Sequence, residues 1–95
     1  MSKDEERILT KHPEGKTGVS ISKQKYDLVR ATMLDCLKDR ELTEEDLTAC
    51  VTKKLRSRFE GSMKWYGDAV RLDLEARGDI RRHQDKGSNI YRLKD

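Results

Sequence analysis

Residues 61–78 read GSMKWYGDAVRLDLEARG, and this segment predicts a helix. Ser62 is a typical N-cap and Gly78 a typical stop, so the helix begins at Met63 and ends at about Arg77. Its apolar residues cover an arc of roughly 200° on a helical wheel, which is more than an amphipathic helix on a small domain needs. They are Met63, Trp65, Tyr66, Ala69, Val70, Leu72, Leu74 and Ala76.

The width of this arc has two interpretations. In the first, the helix is the central helix of the fold and is packed by the other helices and by a hairpin. In the second, the extra width forms a second surface at Trp65 and Leu72 that binds a partner, such as another copy in a dimer.

Two further helices are predicted before this segment. Ser22 is a typical N-cap, and apolar residues at helical spacing continue the first helix to about Lys38. Thr43 is followed by three acidic residues, a capping box that begins the second helix, and a basic run leads to the end of that helix at Gly61. The short link around Gly61 is typical of a helix-turn-helix pair.

The two ends of the chain have different patterns. Residues 80–82 and 90–93 alternate between apolar and polar and flank a polar tip at 83–89, which predicts a β-hairpin with a long loop. Residues 1–18 show no sustained period, so we expect a flexible or loosely docked arm. Residues 19–21 alternate and predict a short edge strand.

Together these elements predict an α+β fold that is mainly helical. The chain has 95 residues, which is the length of one domain. Three helices followed by a C-terminal hairpin are the order of a winged helix-turn-helix domain, in which the hairpin is the wing. The predicted organisation is an arm at 1–18 and a winged-helix domain at 19–95.

Three motifs of the chain together resemble those of a known family. The first is the helix of residues 61–78, which is similar to the pattern GSxxWYxxxVKLDLEARG, with Arg71 where the pattern favours Lys. The others are HPEGKTG at residues 12–18 and the tyrosine at Tyr26. The resemblance covers about residues 11–93 and is to a family of small, uncharacterised bacterial winged-helix proteins, a domain of unknown function. It implies the fold and carries no assigned activity, so function follows by analogy with other winged helices.

Composition excludes some classes of protein. Charged residues make up 41% of the chain, and the formal net charge is only +3. No apolar run approaches the roughly 18–20 residues that span a bilayer, and the N-terminus has no apolar signal segment, so we expect a cytoplasmic protein. Cys36 and Cys50 are too few for a disulfide framework and are interpreted as small core residues in a reducing cytoplasm. A redox pair would require the two helices to bring them into contact.

Basic residues near the C-terminus point to DNA. In winged helices the third helix approaches the major groove and the wing contacts the backbone or the minor groove. We therefore predict a protein that binds double-stranded DNA, such as a transcriptional regulator, through helix three and the wing. The predicted contacts are Ser62, Lys64, Arg71, Arg81, Arg82, Lys86 and Arg92. The alternative for each charge run is a solvated surface.

The polar strip of helix three weakens the prediction of base reading. It contains the oppositely charged pairs Lys64–Asp68 and Arg71–Glu75 at a spacing of four residues, so its charge is balanced. This balance favours the alternative function, a protein-interaction or homodimerisation module that does not bind DNA. An exposed Trp65 would support that alternative, whereas one continuous basic face would support DNA.

No motif indicates an enzyme. The chain lacks a phosphate-binding glycine loop, a nucleophile elbow and a zinc-protease motif, and no cofactor or small-molecule substrate is expected. His12 and His83 have no neighbours at metal-ligand spacing, so no metal site is predicted. Asp73 falls within the apolar arc and needs a partner, either Arg77 or a hydroxyl or backbone N–H of another element. A catalytic role for Asp73 would require a second titratable group in a pocket.

Overall fold

The computed structural model describes residues 6–56 and 58–94, which form a small α+β fold. In that part of the chain, three helices combine with short antiparallel strands in the order β1–β2–α1–β3–α2–α3–β4–β5. The helices are α1 (Lys23–Cys36), α2 (Glu44–Leu55) and α3 (Met63–Arg77). The strands are β1 (Arg7–Leu9), β2 (Ser20–Ser22), β3 (Leu42–Thr43), β4 (Ile80–Asp85) and β5 (Ser88–Leu93). None of the described helices has the length and apolar character that crossing a bilayer requires.

All three helices begin at the predicted caps. The hydroxyl oxygens of Ser22, Thr43 and Ser62 each accept a hydrogen bond from the backbone N–H three residues later, at 3.1–3.3 Å. These bonds satisfy donors that have no partner within the helix. Gly78 ends α3 in the left-handed region, with φ 85°, where glycine carries no steric penalty.

The second helix is shorter than predicted. It ends at Leu55 rather than at Gly61, and the N–H of Arg58 bonds to the carbonyl of Leu55 in a turn. Phe59, which falls within the predicted helix, lies after its observed end and packs edge-on against Tyr66 with the ring centroids 5.0 Å apart. The apolar residues keep helical spacing through the turn that follows Leu55, and for this reason the predicted helix was too long.

The hairpin is longer and tighter than predicted. Strands β4 and β5 pair from Ile80 opposite Leu93 to Asp85 opposite Ser88, so the expected long loop is wrong. Lys86 (φ 53°) and Gly87 (φ 85°) form the two-residue turn, and two positive φ angles are typical of type I′. The polar tip continues the ladder because backbone hydrogen bonds need no apolar side chains.

A third strand completes the sheet beside the hairpin. Strand β3, whose Thr43 we predicted only as a cap, pairs with β5, so the strand order is β3–β5–β4. Leu42 lies opposite Tyr91 and Thr43 opposite Ile90. With only two residues, β3 is too short for its alternation to be visible in the sequence.

Part of the predicted arm is docked on the domain. Strand β1 pairs with β2, which lies one residue later than the predicted edge strand, and the N–H of Thr10 bonds to the carbonyl of Val19 at 2.9 Å. Thr10 is buried. Gly18 allows this approach, because a Cβ there would lie 1.8 Å from the carbonyl oxygen of Thr10. Residues 1–5 of the predicted arm lie outside the described residues.

The core lies between α3, the other two helices and the three-stranded sheet. Val70 and Leu74 of α3 are fully buried, as is Val29 of α1. Val51 of α2 and Ile80 of β4 are buried in the same cluster. Helix α3 is therefore packed by both other helices and by the sheet, as the first interpretation of its wide apolar arc predicted.

Cys36 and Cys50 lie in or against the core, as interpreted, but they are not separate, because their helices meet as a redox pair would require. Cys36 ends α1 and Cys50 lies within α2, and the packing of these helices brings their Cα atoms to 6.2 Å and their sulfurs into a disulfide. Two cysteines do not make a framework of several bridges, but they suffice for one bond between neighbouring helices.

We expect reduction of this disulfide to lower the free energy of unfolding by about 3 kcal/mol. The two cysteines are 14 residues apart in the sequence, and closing a loop of about 15 residues contributes this much. Urea unfolding with and without a thiol reductant measures the difference. The double variant Cys36→Ala/Cys50→Ala is the control, and the reductant should leave its stability unchanged. Equal stability of the oxidised and reduced wild-type chain would contradict the prediction.

Candidate nucleic-acid interface

The outer face of the β4–β5 hairpin is basic. Side chains alternate between the two faces of a strand, and Ile80 and Tyr91 are buried on the inner face. Arg81 and Arg92 point to the other face and lie directly opposite each other in the ladder. Both guanidinium groups carry N–H donors of the kind that phosphate oxygens accept from.

A recess of about 430 Å³ lies at the same place. It is lined by Glu41, Arg81, Arg82, His83 and Arg92. The imidazole Nε2 of His83 lies 3.4 Å from a carboxylate oxygen of Glu41. Arg81 is exposed and makes no ion pair with any described residue. The recess therefore combines an open shape with an excess of cationic side chains, which suits a phosphate group.

Lys86 adds an exposed cation at the tip of the hairpin. Its φ of 53° is in the left-handed region, which is uncommon for a lysine. Type I′ turns favour Asn or Asp before the glycine. The turn therefore carries a positive charge at a position where another residue would be more stable.

Arg71 is not on an exposed strip, and that prediction is wrong. Only 8% of the residue is exposed, and its guanidinium carbon lies 5.4 Å from the centre of the Tyr91 ring. Its Nη1 lies 3.6 Å from Asp68 and 3.7 Å from Glu44. The sheet covers this side of α3, so Arg71 stacks on the sheet and does not reach solvent. Burial raises the pKa of the Tyr91 hydroxyl, and the nearby Arg71 cation opposes that shift.

Three other predicted contacts already have partners in the fold. The hydroxyl of Ser62 caps α3, and Nζ of Lys64 lies 3.2 Å from Asp68, which confirms one predicted pair. Arg82 donates to Glu75 at 3.1 Å, so Glu75 pairs with the hairpin and the predicted Arg71–Glu75 pair is wrong. Of the predicted DNA contacts, four lie on the hairpin or its turn: Arg81, Arg82, Lys86 and Arg92.

The outward face of α3 is apolar. Trp65 is 47% exposed, and Leu72, the other predicted interface residue, is half-buried on the same side. Ala69 and Ala76 lie between and beyond them at helical spacing. Trp65 packs edge-on against Tyr66, with the ring centroids 4.9 Å apart, which holds the indole at the surface. Base-reading side chains are absent from this stretch of the described helix.

Asp73 has the partner that it was predicted to need, and two more. It has no exposed surface, and Arg77 Nε donates to its carboxylate at 2.9 Å. The hydroxyl of Tyr26 also donates to it, as does the backbone N–H of Lys11 at 2.7 Å. Burial, followed by this hydrogen bond to Asp73, raises the pKa of Tyr26 to about 12. The bond to Asp73 likewise raises the pKa of Arg77.

This cluster joins the N-terminal segment, α1 and α3, and its carboxylate is satisfied by donors of the fold itself. The sequence identified Arg77 by name and the other two donors only by type, as a hydroxyl and a backbone N–H of another element, because a backbone donor such as Lys11 leaves no side-chain signal. Across residues 6–56 and 58–94, no group of three or more His, Cys, Asp or Glu side chains is arranged to hold a metal ion.

Comparison with known proteins gives one match. The profile of a family of unknown function, DUF6958, matches residues 7–90. The chain belongs to this family. The match confirms the resemblance to a family without an assigned function. No curated protein and no solved structure matches the chain.

We expect the free energy of unfolding to fall with rising pH in the alkaline range because of Tyr26. Its pKa is raised in the folded chain to about 12 from an ordinary value of 10.0, so its contribution is fully present below pH 10 and is lost as pH rises towards 12. Urea unfolding across this range should show a steeper loss for the wild type than for Tyr26→Phe. Tyr66→Phe is the matched control and should follow the wild type. If the free energy of unfolding fell equally with pH in the wild type and in Tyr26→Phe, the role given to Tyr26 would be contradicted.

Proposed function

We propose that this chain is a winged-helix domain whose β4–β5 hairpin is a wing that binds the phosphate backbone of double-stranded DNA. The order α1–β3–α2–α3–β4–β5, with β3 paired to the second strand of the hairpin, supports this topology. The observation that carries the functional part is the Arg81–Arg92 pair across the two strands.

The arginine pair is chemically suited to phosphate. Lys86 adds an exposed positive charge at the tip of the same short hairpin. Phosphate oxygens accept hydrogen bonds from guanidinium groups in a bidentate geometry. Contacts of this kind supply most of the affinity of proteins that bind DNA without sequence preference.

Helix α3 gives little support for base reading. Arg71 is stacked on Tyr91, and Lys64 is paired with Asp68. The outward side of the helix presents Trp65 and Leu72, which offer no donors to the major-groove edges of G or A apart from the indole N–H. We therefore propose backbone binding through the wing, without a role for α3 in recognising a sequence, and the proposal assigns no catalytic activity.

The proposal places the protein in the cytoplasm. Thiols are kept reduced there and disulfides are rare. In that compartment the bond between Cys36 and Cys50 would be reduced, so the reduced chain is the form to test on DNA.

The proposal is tested by fluorescence anisotropy of a labelled random-sequence duplex in reducing buffer at low and physiological salt. The wild type should bind at low salt and weaken steeply as salt rises. For Arg81→Gln/Arg92→Gln we expect the Kd to rise about tenfold or more and the salt slope to fall by about two, since two phosphate contacts are removed.

The control for net charge is Lys38→Gln/Lys53→Gln, which removes two exposed cations that lie outside the hairpin and should bind DNA as the wild type does. Thermal unfolding of both variants verifies that they fold. Absence of binding by the wild type at low salt would overturn the proposal and favour the alternative, an interaction module that does not bind DNA. If the arginine variant and the wild type bound DNA with the same Kd, the wing would not be part of the DNA-binding site.

Lys86 gives a second test, in which stability and binding change in opposite directions. We expect Lys86→Asn to raise the free energy of unfolding by about 0.5–1 kcal/mol, because Asn tolerates positive φ. The same change should weaken DNA binding, because it removes a cation at the tip. Lys86→Gln is the matched control, which removes the charge without relieving the backbone and should weaken binding with no gain in stability. Unchanged affinity in both variants would show that the tip does not touch DNA.

A further inference from the structure

We infer that the outward face of α3 binds the same face of a second copy of this chain, with the two helices antiparallel about a two-fold axis. This inference goes beyond the proposed DNA binding and does not depend on it. The face consists of Trp65, Ala69, Leu72 and Ala76, which lie at intervals of four, three and four residues and so share one side of the helix. Trp65 and Leu9 are the two large apolar residues that are well exposed in the described part of the chain.

The sizes of the side chains suit an antiparallel pair. If the axis crosses α3 between Val70 and Arg71, Trp65 of one copy lies level with Ala76 of the other. Leu72 then lies level with Ala69 of the other copy. Each large side chain faces a small one, so the helices can approach closely without a clash. A parallel pair would place Trp65 on Trp65 and leave the alanines facing each other across a gap.

The charges on one flank of this face select the same orientation. Lys64 and Glu75 are separated by eleven residues, about three helical turns, so they lie on the same flank near opposite ends of α3. The two-fold operation brings Lys64 of one copy to within about two residues, or 3 Å along the axis, of Glu75 of the other. In a parallel two-fold pair, the same flank of the two copies lies on opposite sides of the contact, so Lys64 would not meet Glu75 of the other copy.

Lys64 can turn to meet such a partner, whereas Glu75 is held in place, with only 14% of its side chain exposed. The side chain of Lys64 is 77% exposed, and its contact with Asp68 is a surface pair of the kind that contributes little. Glu75 accepts from Arg82 through Oε2, which leaves the lone pairs of its other oxygen for a second donor. Because each pair occurs twice in a two-fold dimer, the two ends of the interface carry the same contact.

The first experiment measures self-association of the full chain by sedimentation equilibrium over a range of concentrations. We expect a concentration-dependent dimer for the wild type, since a contact built on one helix is small and belongs to the weak class of interfaces. Leu72→Glu should raise the dimer dissociation constant at least about tenfold, because it places two carboxylates at the centre of the contact. Leu9→Glu, at the other exposed apolar site, is the control and should dimerise as the wild type does.

The second experiment tests the orientation. Lys64→Glu alone and Glu75→Lys alone each create two like-charged pairs in a homodimer, and both should be less associated than the wild type. An equimolar mixture of the two should form a heterodimer, because each copy then meets the opposite charge at both ends. Circular dichroism of each variant verifies folding, and the Leu72→Glu measurement decides the face independently if Glu75→Lys, which also loses its contact with Arg82, does not fold.

The outcomes separate this inference from the proposed DNA binding. A wild type that is monomeric at every concentration, or a Leu72→Glu variant that dimerises as the wild type does, would overturn the interface. Recovery of the dimer in the mixture supports the antiparallel pair, and a mixture of folded variants that stays monomeric would overturn the orientation. The Arg81→Gln/Arg92→Gln variant should dimerise normally, so loss of DNA binding and loss of dimerisation are measured on different residues.

Discussion

Asp73 places a carboxylate inside a small domain, where it has no contact with solvent. Such a charge is costly unless donors compensate for it, and its donors come from three segments: the backbone before β2 at Lys11, Tyr26 of α1, and Arg77 one turn along α3. An arrangement that separates these segments leaves the carboxylate unpaired, which costs about 3–5 kcal/mol. Asp73 therefore selects one packing of the N-terminal segment, α1 and α3 among the compact alternatives.

This packing determines which surface α3 leaves free. Asp73 and Arg71 are two residues apart, so they lie on nearly opposite flanks of the helix. The first flank is covered by α1 and the N-terminal segment, and the second by the sheet, where Arg71 stacks on Tyr91. The side between the flanks is centred on Leu72 and Trp65. Burial of both flanks thus leaves an apolar strip facing outward.

Sequence reasoning succeeded where a signal was local. The caps at Ser22, Thr43 and Ser62 each depend on one side chain and the N–H three residues later, so they are visible without knowledge of the fold. The charge balance of the α3 strip was also visible. Of its two predicted pairs, Lys64–Asp68 forms, whereas Glu75 pairs with Arg82 instead of Arg71.

The failures share a different cause, which is dependence on packing between distant segments. A helical wheel assigns Arg71 to the polar side, and only the position of Tyr91 in the hairpin shows that the guanidinium is covered. The bond between Cys36 and Cys50 depends on how α1 crosses α2, which spacing does not define. The turn at Lys86 was missed for a local reason, because lysine is atypical at the first position of a type I′ turn. Within the candidate site, Arg81 and Arg92 were identified, but their direct opposition required the register of the strands.

The two proposals together constrain how a dimer would meet DNA. Strand β4 begins three residues after the C-terminal end of α3, so each wing leaves from that end of its helix. In an antiparallel pair the C-terminal ends lie at opposite ends of the contact, separated by about the length of α3, whose 15 residues span about 22 Å. The Arg81–Arg92 pairs of the two copies would therefore be related by a two-fold axis, as the two strands of a duplex are. One face of the dimer could then present two wings to phosphates of one DNA molecule, with the apolar faces of both α3 helices buried between the copies and unavailable to the major groove.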